Sequence, residues 1–273
     1  MPKIELGGRT FYYEPIGDDG PPLVFLSGLG GDHRAFSRPQ RHFAARYRTF
    51  AFDGRDSGQS DRASEGYTTV DLAADVALWL EAIHIGPAHV VGQSLGGLVA
   101  QELAIARPEL VKSLVLASTH AGAAPWRQAV VESWIVIRER LDAAGFTRAV
   151  LPWLVAPPYY NREGGVQGLI QYAERNPWPQ DAAAFTRLAR AAMTHQARDR
   201  LHQIAAPCLV LVGELDLVNP PRISEELARS IPGSRMVVIP GAGHMPHIED
   251  QARFRGAIEA FLADVEGSAQ TRR

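Results

Sequence analysis

Six short apolar runs recur along the chain, at 23–26, 49–52, 89–91, 113–117, 208–212 and 236–239, all but 113–117 bounded on at least one side by glycine, proline or aspartate. Runs this short and this continuous suit strands that are buried on both faces, the condition of a parallel sheet. Between them lie segments with helical spacing, at 70–83, 95–106, 223–231 and 254–265. In the first, Leu72, Val76, Trp79, Leu80 and Ile83 share one face. Alternating strand and helix predicts an α/β fold with a mainly parallel central sheet and helices on both faces. Residues 3–6 and 10–14, around Gly7-Gly8, read as a hairpin ahead of it.

The alternation fails once. From His120 to about Gln203 no strand is expected, only helix-like stretches at 130–143 and 181–194 broken by prolines. About 80 residues is too long for a simple loop, so the reading is one core, 1–119 with 204–266, carrying an inserted helical cap at 120–203. Residues 267–273 read as a frayed polar tail. Four of the five tryptophans, Trp126, Trp134, Trp153 and Trp178, fall inside the insertion.

Charge narrows the partner. With 28 basic and 30 acidic residues, a formal net of -2, no whole-protein field draws nucleic acid or an anionic membrane, so a small molecule is expected. The amino terminus lacks a signal-peptide pattern, no apolar run spans a membrane, and the single Cys208 forms no pair; a cytoplasmic setting is expected, with no metal and no cofactor. The oligomeric state stays open.

Chemistry enters at Val90-Val91-Gly92-Gln93-Ser94-Leu95-Gly96-Gly97, a G-x-S-x-G between a strand run and a helical segment. A nucleophile on a sharp strand-to-helix turn has a strained backbone and needs small neighbours. The turn also sets the Ser94 hydroxyl and the Leu95 N–H at a helix amino terminus, where negative charge is stabilised. With 13 serines and 25 glycines in the chain, chance supplies about 0.1 such matches. The strand-turn-helix context lowers that further, and Ser94 is read as the nucleophile.

Its base is sought among nine histidines. His244 lies in the loop after the last strand run, where a side chain reaches over the carboxyl edge of the sheet. His247 is the nearest rival but reads as a helix-start residue; His120, just after a strand, is placed to enter the pocket. His33, His42, His84, His89, His195 and His202 read as surface or packing residues. For the acid that orients the base, Asp216 follows the run at 208–212, with Glu214 a weaker candidate nearer the strand.

The order Ser94, Asp216, His244 resembles that of the α/β-hydrolase superfamily, in its compact form with a helical cap. The resemblance runs from about Phe25 to Phe261, apart from much of the cap. It rests on the elbow Gly92 to Gly96, the loops Gly213-Glu214-Leu215-Asp216 and Gly243-His244, and Asp53-Gly54-Arg55-Asp56-Ser57-Gly58-Gln59-Ser60, similar to a D-x-R-G-x-G-x-S turn. The chain departs from the family in having Ser27-Gly28 for a usual His-Gly and Asp56 for a common glycine. Residues 55–58 are similar to polyketide methylesterases, residues 29–34 to enol-lactonases.

What the resemblance implies is a metal-independent serine esterase, with the Leu29 N–H joining that of Leu95 in an oxyanion hole. Dehalogenase and epoxide-hydrolase relatives carry Asp at the elbow, and hydroxynitrile lyases a Lys near the site; here the elbow has Ser, and the only lysines are Lys3 and Lys112. A lactonase, a C–C hydrolase or a perhydrolase of the haloperoxidase type stays open. A small-molecule receptor on the same fold is the alternative of another class. About half of the cap aromatics are expected to roof an apolar pocket, with Trp126, Trp134 and Trp153 lining it.

Overall fold

The computed structural model describes residues 2–270. Eight strands form one sheet: β1 (Lys3–Leu6), β2 (Arg9–Ile16), β3 (Pro22–Leu26), β4 (Arg48–Asp53), β5 (Ala88–Gln93), β6 (Val111–Ala117), β7 (Cys208–Gly213) and β8 (Arg235–Ile239). Their order is β1-β2-β4-β3-β5-β6-β7-β8. Strands β1 and β2 form the expected hairpin and pair antiparallel, β2 to β4 as well; every pairing from β4 through β8 is parallel.

The period of two in the strands explains why the apolar runs are continuous. Val24, Leu26, Val90, Leu114, Leu116 and Val210 face one hydrophobic layer, which also holds Trp79. Leu23, Phe25, Val91, Val115, Leu209 and Leu211 face the other. The first layer is covered by α2 (Thr69–Ala82), α3 (Leu95–Ala106) and α9 (Pro221–Ser230), the second by α1 (Ser37–Phe43) and α11 (Gln251–Gln270). A reciprocal cap between Thr68 and Asp71 starts α2. A further short helix, α10 (Pro246–Glu249), precedes α11.

Between β6 and β7 lie α4 (Pro125–Arg140), α5 (Ala143–Leu154), α6 (Pro157–Tyr160), α7 (Gly165–Glu174) and α8 (Ala182–Thr194). The stretch at 130–143 is thus two helices: the chain breaks at Leu141-Asp142, and the Asp142 carboxylate accepts the Gly145 N–H at 2.7 Å to start α5. Asp181 caps α8 in the same way. Of the tail expected to fray, Gly267–Gln270 instead continues α11, and the Ser268 hydroxyl donates back to the Asp264 carbonyl at 2.8 Å; 271–273 lie outside the described residues. No helix among the described residues is long and apolar enough to cross a membrane.

Candidate active site

The turn between β5 and α3 leaves no room for side chains beside Ser94. A Cβ at Gly92 would lie 2.3 Å from the Gly96 carbonyl oxygen, and one at Gly96 would lie 2.1 Å from that of Leu26. Ser94 itself holds φ 52 and ψ -115, a strained conformation for a residue with a Cβ. Neighbouring chain fixes it there: its N–H donates to the Ala117 carbonyl at 2.9 Å, and Thr119 Oγ1 donates to its carbonyl at 2.8 Å.

The loops after β7 and β8 bring the other two candidates to it. His244 Nε2 lies 3.1 Å from Ser94 Oγ, and its Nδ1 lies 2.9 and 3.0 Å from the two Asp216 oxygens. The buried Asp216 carboxylate also accepts the Val218 and Asn219 N–H groups at 2.9 and 2.8 Å. An acceptor fixed this way holds Nδ1 as the donor and leaves the Nε2 lone pair facing the serine. Glu214 is exposed and accepts the Gly241 N–H instead.

One residue that sequence reasoning missed supports this arrangement. The buried Glu249 carboxylate accepts the N–H groups of Gly243 at 3.0 Å, Met245 at 3.1 Å and Ala156 at 2.7 Å, so it grips both sides of His244 and ties them to the chain after α5. Burial raises its carboxyl above the ordinary range, and the three N–H groups pull it back. His244 N–H donates to the Leu154 carbonyl at 3.0 Å, a second tie to α5. His247 is buried against Phe36 and Phe254, and burial pushes its imidazole down to about 3.

Ser94 opens into a cleft of about 490 Å³, its mouth included, lined by Leu29, Leu95, Leu98, His120, Ala123, Ala124, Arg127, Gln128, Val131, Trp134, Ala192, Met193, Val218 and Asn219. Among the described residues neither the Leu29 nor the Leu95 N–H has a hydrogen-bond partner. His120 reaches the cleft as expected of it; burial holds its imidazole well below its ordinary range.

Of the three tryptophans expected in the pocket, only Trp134 lines it. The phase of α4 is the reason. Its buried face carries Arg127, Val130, Val131 and Trp134, and at 100° per residue Trp126 sits about a quarter turn off that face. Trp126 is 50% exposed and packs on Trp153 with ring centroids 6.1 Å apart. Trp153 belongs to α5, which contributes nothing to the cleft; α4 and the end of α8 form its helical wall. Other aromatics of the segment serve packing: Phe146 meets Phe185 between α5 and α8, and Trp178 packs on His33 of the core. No group of three or more His, Cys, Asp or Glu side chains among the described residues is placed to hold a metal.

Comparison with known proteins fits this architecture. The sequence profile of the Alpha/beta hydrolase family matches residues 23–257. The "Putative non-heme bromoperoxidase BpoC" of Mycobacterium tuberculosis is 33% identical over 256 residues, 90% of this chain and 95% of that protein. The 3-oxoadipate enol-lactonase 1 of Acinetobacter baylyi is 27% identical over 264 residues, 95% of either chain. The crystal structure of the enol-lactonase from Burkholderia xenovorans superimposes with a TM-score of 0.87 at 25% identity, covering 96% of this chain and 100% of that one. The chain belongs to the alpha/beta hydrolase family.

Proposed function

We propose that the protein is a metal-independent serine hydrolase that cleaves a carboxylic ester of a small apolar or aromatic substrate through an acyl-enzyme intermediate. The observation that carries this reading is the continuous contact from Asp216 through His244 to Ser94 Oγ, at 2.9 and 3.1 Å, on the floor of an accessible cleft. In it, Ser94 Oγ attacks the ester carbonyl as His244 Nε2 takes its proton. The partnerless N–H groups of Leu29 and Leu95 hold the oxyanion. His244 then gives that proton to the departing alkoxide as the C–O bond breaks. Water repeats the sequence in reverse roles: its oxygen bonds to the acyl carbon, its proton passes through His244 back to Ser94, and the acid leaves. Asp216 keeps Nδ1 protonated and balances the imidazolium formed in both halves.

The helical segment 120–203 acts in this reading as a cap on a core of 1–119 and 204–266, because α4 and α8 supply the wall facing Ser94. Lactone hydrolysis by the same residues is a second reading, favoured by the enol-lactonases among the relatives.

Short p-nitrophenyl esters test the mechanism. Ser94→Ala should lower turnover by about 10⁴-fold or more while the protein stays folded, and a fluorophosphonate should label Ser94 in the wild type alone. Turnover that persists in the variant, or a label at another residue, rejects the assignment.

A further inference from the structure

The cleft is apolar over most of its lining, yet one formal charge stands in it. Arg127, on the first turn of α4, shares its face with Val130, Val131 and Trp134 and is 7% exposed. Its hydrogen bond goes to the backbone carbonyl of Gly122, and among the described residues no carboxylate lies within ion-pair distance of it. Among the described residues the other buried guanidinium, that of Arg55, is paired, and so is the half-buried one of Arg187. Arg55 meets Asp75 through two bonds of 2.6 Å, and Arg187 meets Asp56 at 2.7 and 2.8 Å. A buried charge without a counter-ion is costly, and here burial pushes the guanidinium down to about 10.

Neutral polar atoms in the same cleft are also left without partners. The Trp134 indole N–H, Asn219 Oδ1 and His120 Nδ1 are buried and make no hydrogen bond. Buried polar groups of this kind are ordinarily satisfied, so the cleft is shaped for a polar guest: the Trp134 N–H and the lone cation suit an anionic acceptor, and Asn219 Oδ1 accepts from a donor elsewhere on the guest. One guanidinium among neutral groups matches a single negative charge, and its planar fork matches a carboxylate. Along α4 the backbone positions of Arg127 and Trp134 stand seven residues apart, roughly 10 Å, and Val131 and Trp134 line the cleft along that stretch, an apolar wall suited to a short hydrocarbon chain beside the charge.

We propose that the substrate carries a carboxylate in addition to the carbonyl attacked by Ser94, and that Arg127 binds it. This rests on the serine-hydrolase reading for the carbonyl, but the anion site is testable without turnover. Two ester pairs separate the position of the charge. Mono-p-nitrophenyl adipate against p-nitrophenyl hexanoate puts it on the acyl side; 4-carboxyphenyl hexanoate against phenyl hexanoate puts it on the leaving group.

In the wild type, one charged ester should exceed its neutral partner in kcat/KM. Arg127→Met should lower that charged-to-neutral ratio by about 10- to 100-fold, the range for loss of a charged hydrogen bond, and Arg127→Lys should restore part of it. Because the ratio is taken on one protein sample, a loss of folded fraction cancels. In parallel, calorimetric titration of adipate into Ser94→Ala protein should give binding that Arg127→Met in the same background abolishes. If no ester is cleaved but adipate binds through Arg127, the hydrolase reading fails and the anion site stands. If the ratios of both pairs are unchanged by Arg127→Met and adipate binds neither background, or binds both equally, the anion site is overturned.

Discussion

Asp56 stands where the family commonly has glycine, and the structure supplies both a reason for the glycine and a use for the aspartate. The residue holds φ 65, where a side chain is strained. Its carboxylate is fully buried and accepts four hydrogen bonds: two from Arg187 on α8 at 2.7 and 2.8 Å, one from the Tyr67 hydroxyl at 2.7 Å and one from the Ala63 N–H at 3.0 Å. Its backbone carbonyl accepts the Gln180 side chain at 2.7 Å. Core and inserted helices are joined at this point. Arg187→Met removes two of the four carboxylate donors and the opposing charge, leaving a buried anion. Removing one partner of a buried pair costs about 3–5 kcal/mol; the Arg187 side chain keeps 19% exposure, so about 2–4 kcal/mol is the fitting range. For 273 residues, unfolding entropy of roughly 0.57 kcal/mol/K converts this into a Tm lowered by about 4–7 °C. Asp56→Gly should cost less, about 1–2 kcal/mol, because glycine relaxes at this φ and the freed guanidinium reaches water. The double variant should then be more stable than Arg187→Met alone. Thermal and urea unfolding of the four proteins measures the cycle. Simple additivity of the two losses, or a Tm unchanged in Arg187→Met, would refute a clamp at this point.

Three further outcomes follow from other parts of the molecule. Gly96→Ala sets a methyl 2.1 Å from the Leu26 carbonyl oxygen, so it should yield little folded protein; an active, equally stable variant would contradict the packing of the elbow. Trp134→Ala should change selectivity across acyl lengths, while Trp126→Ala, at a half-exposed position outside the cleft, should leave it alone, and the reverse result would mean the phase of α4 is misread. Acidification should unfold the protein. His195 is pushed down to about 4, His247 to about 3 and His120 well below its ordinary value, each by burial first. The unfolded chain therefore takes up protons below about pH 6.5 that the folded one refuses, so stability present above that pH is lost as it falls toward about 4. Each histidine contributes up to about 1.4 kcal/mol per pH unit. Burial lowers His89 as well and adds to the uptake, while the raised Glu249 carboxyl opposes it by up to one proton. Urea midpoints that stay level between pH 7 and 5 would exclude it.

Which parts of this molecule could be read from residues alone follows from how far each feature reaches along the chain. The sheet is legible because every apolar run reports on its own two faces: Val24 and Phe25 are neighbours that point into opposite layers, and both must be apolar. The elbow is legible because the contacts that forbid a Cβ at Gly92 involve Gly96 and Gly97, inside one short pattern. Asp216 and His244 stand out because each directly follows an apolar strand, and the sheet alone then brings them toward Ser94. The helices between β6 and β7 have no such common frame, so their orientation is set by partners far away in sequence. Glu249 reaches Ala156 across 93 positions and Arg187 reaches Asp56 across 131. The outward turn of Trp126 depends on such packing, as does the burial of Glu249, whereas the split of 130–143 is set locally by the Asp142 cap on the Gly145 N–H. Arg127 is the instructive exception. A charged residue spaced three, four and seven before Val130, Val131 and Trp134 breaks an otherwise apolar face. Aromatic content marks the inserted segment as a whole, whereas the lone charge on that face marks the side of α4 that lines the cleft.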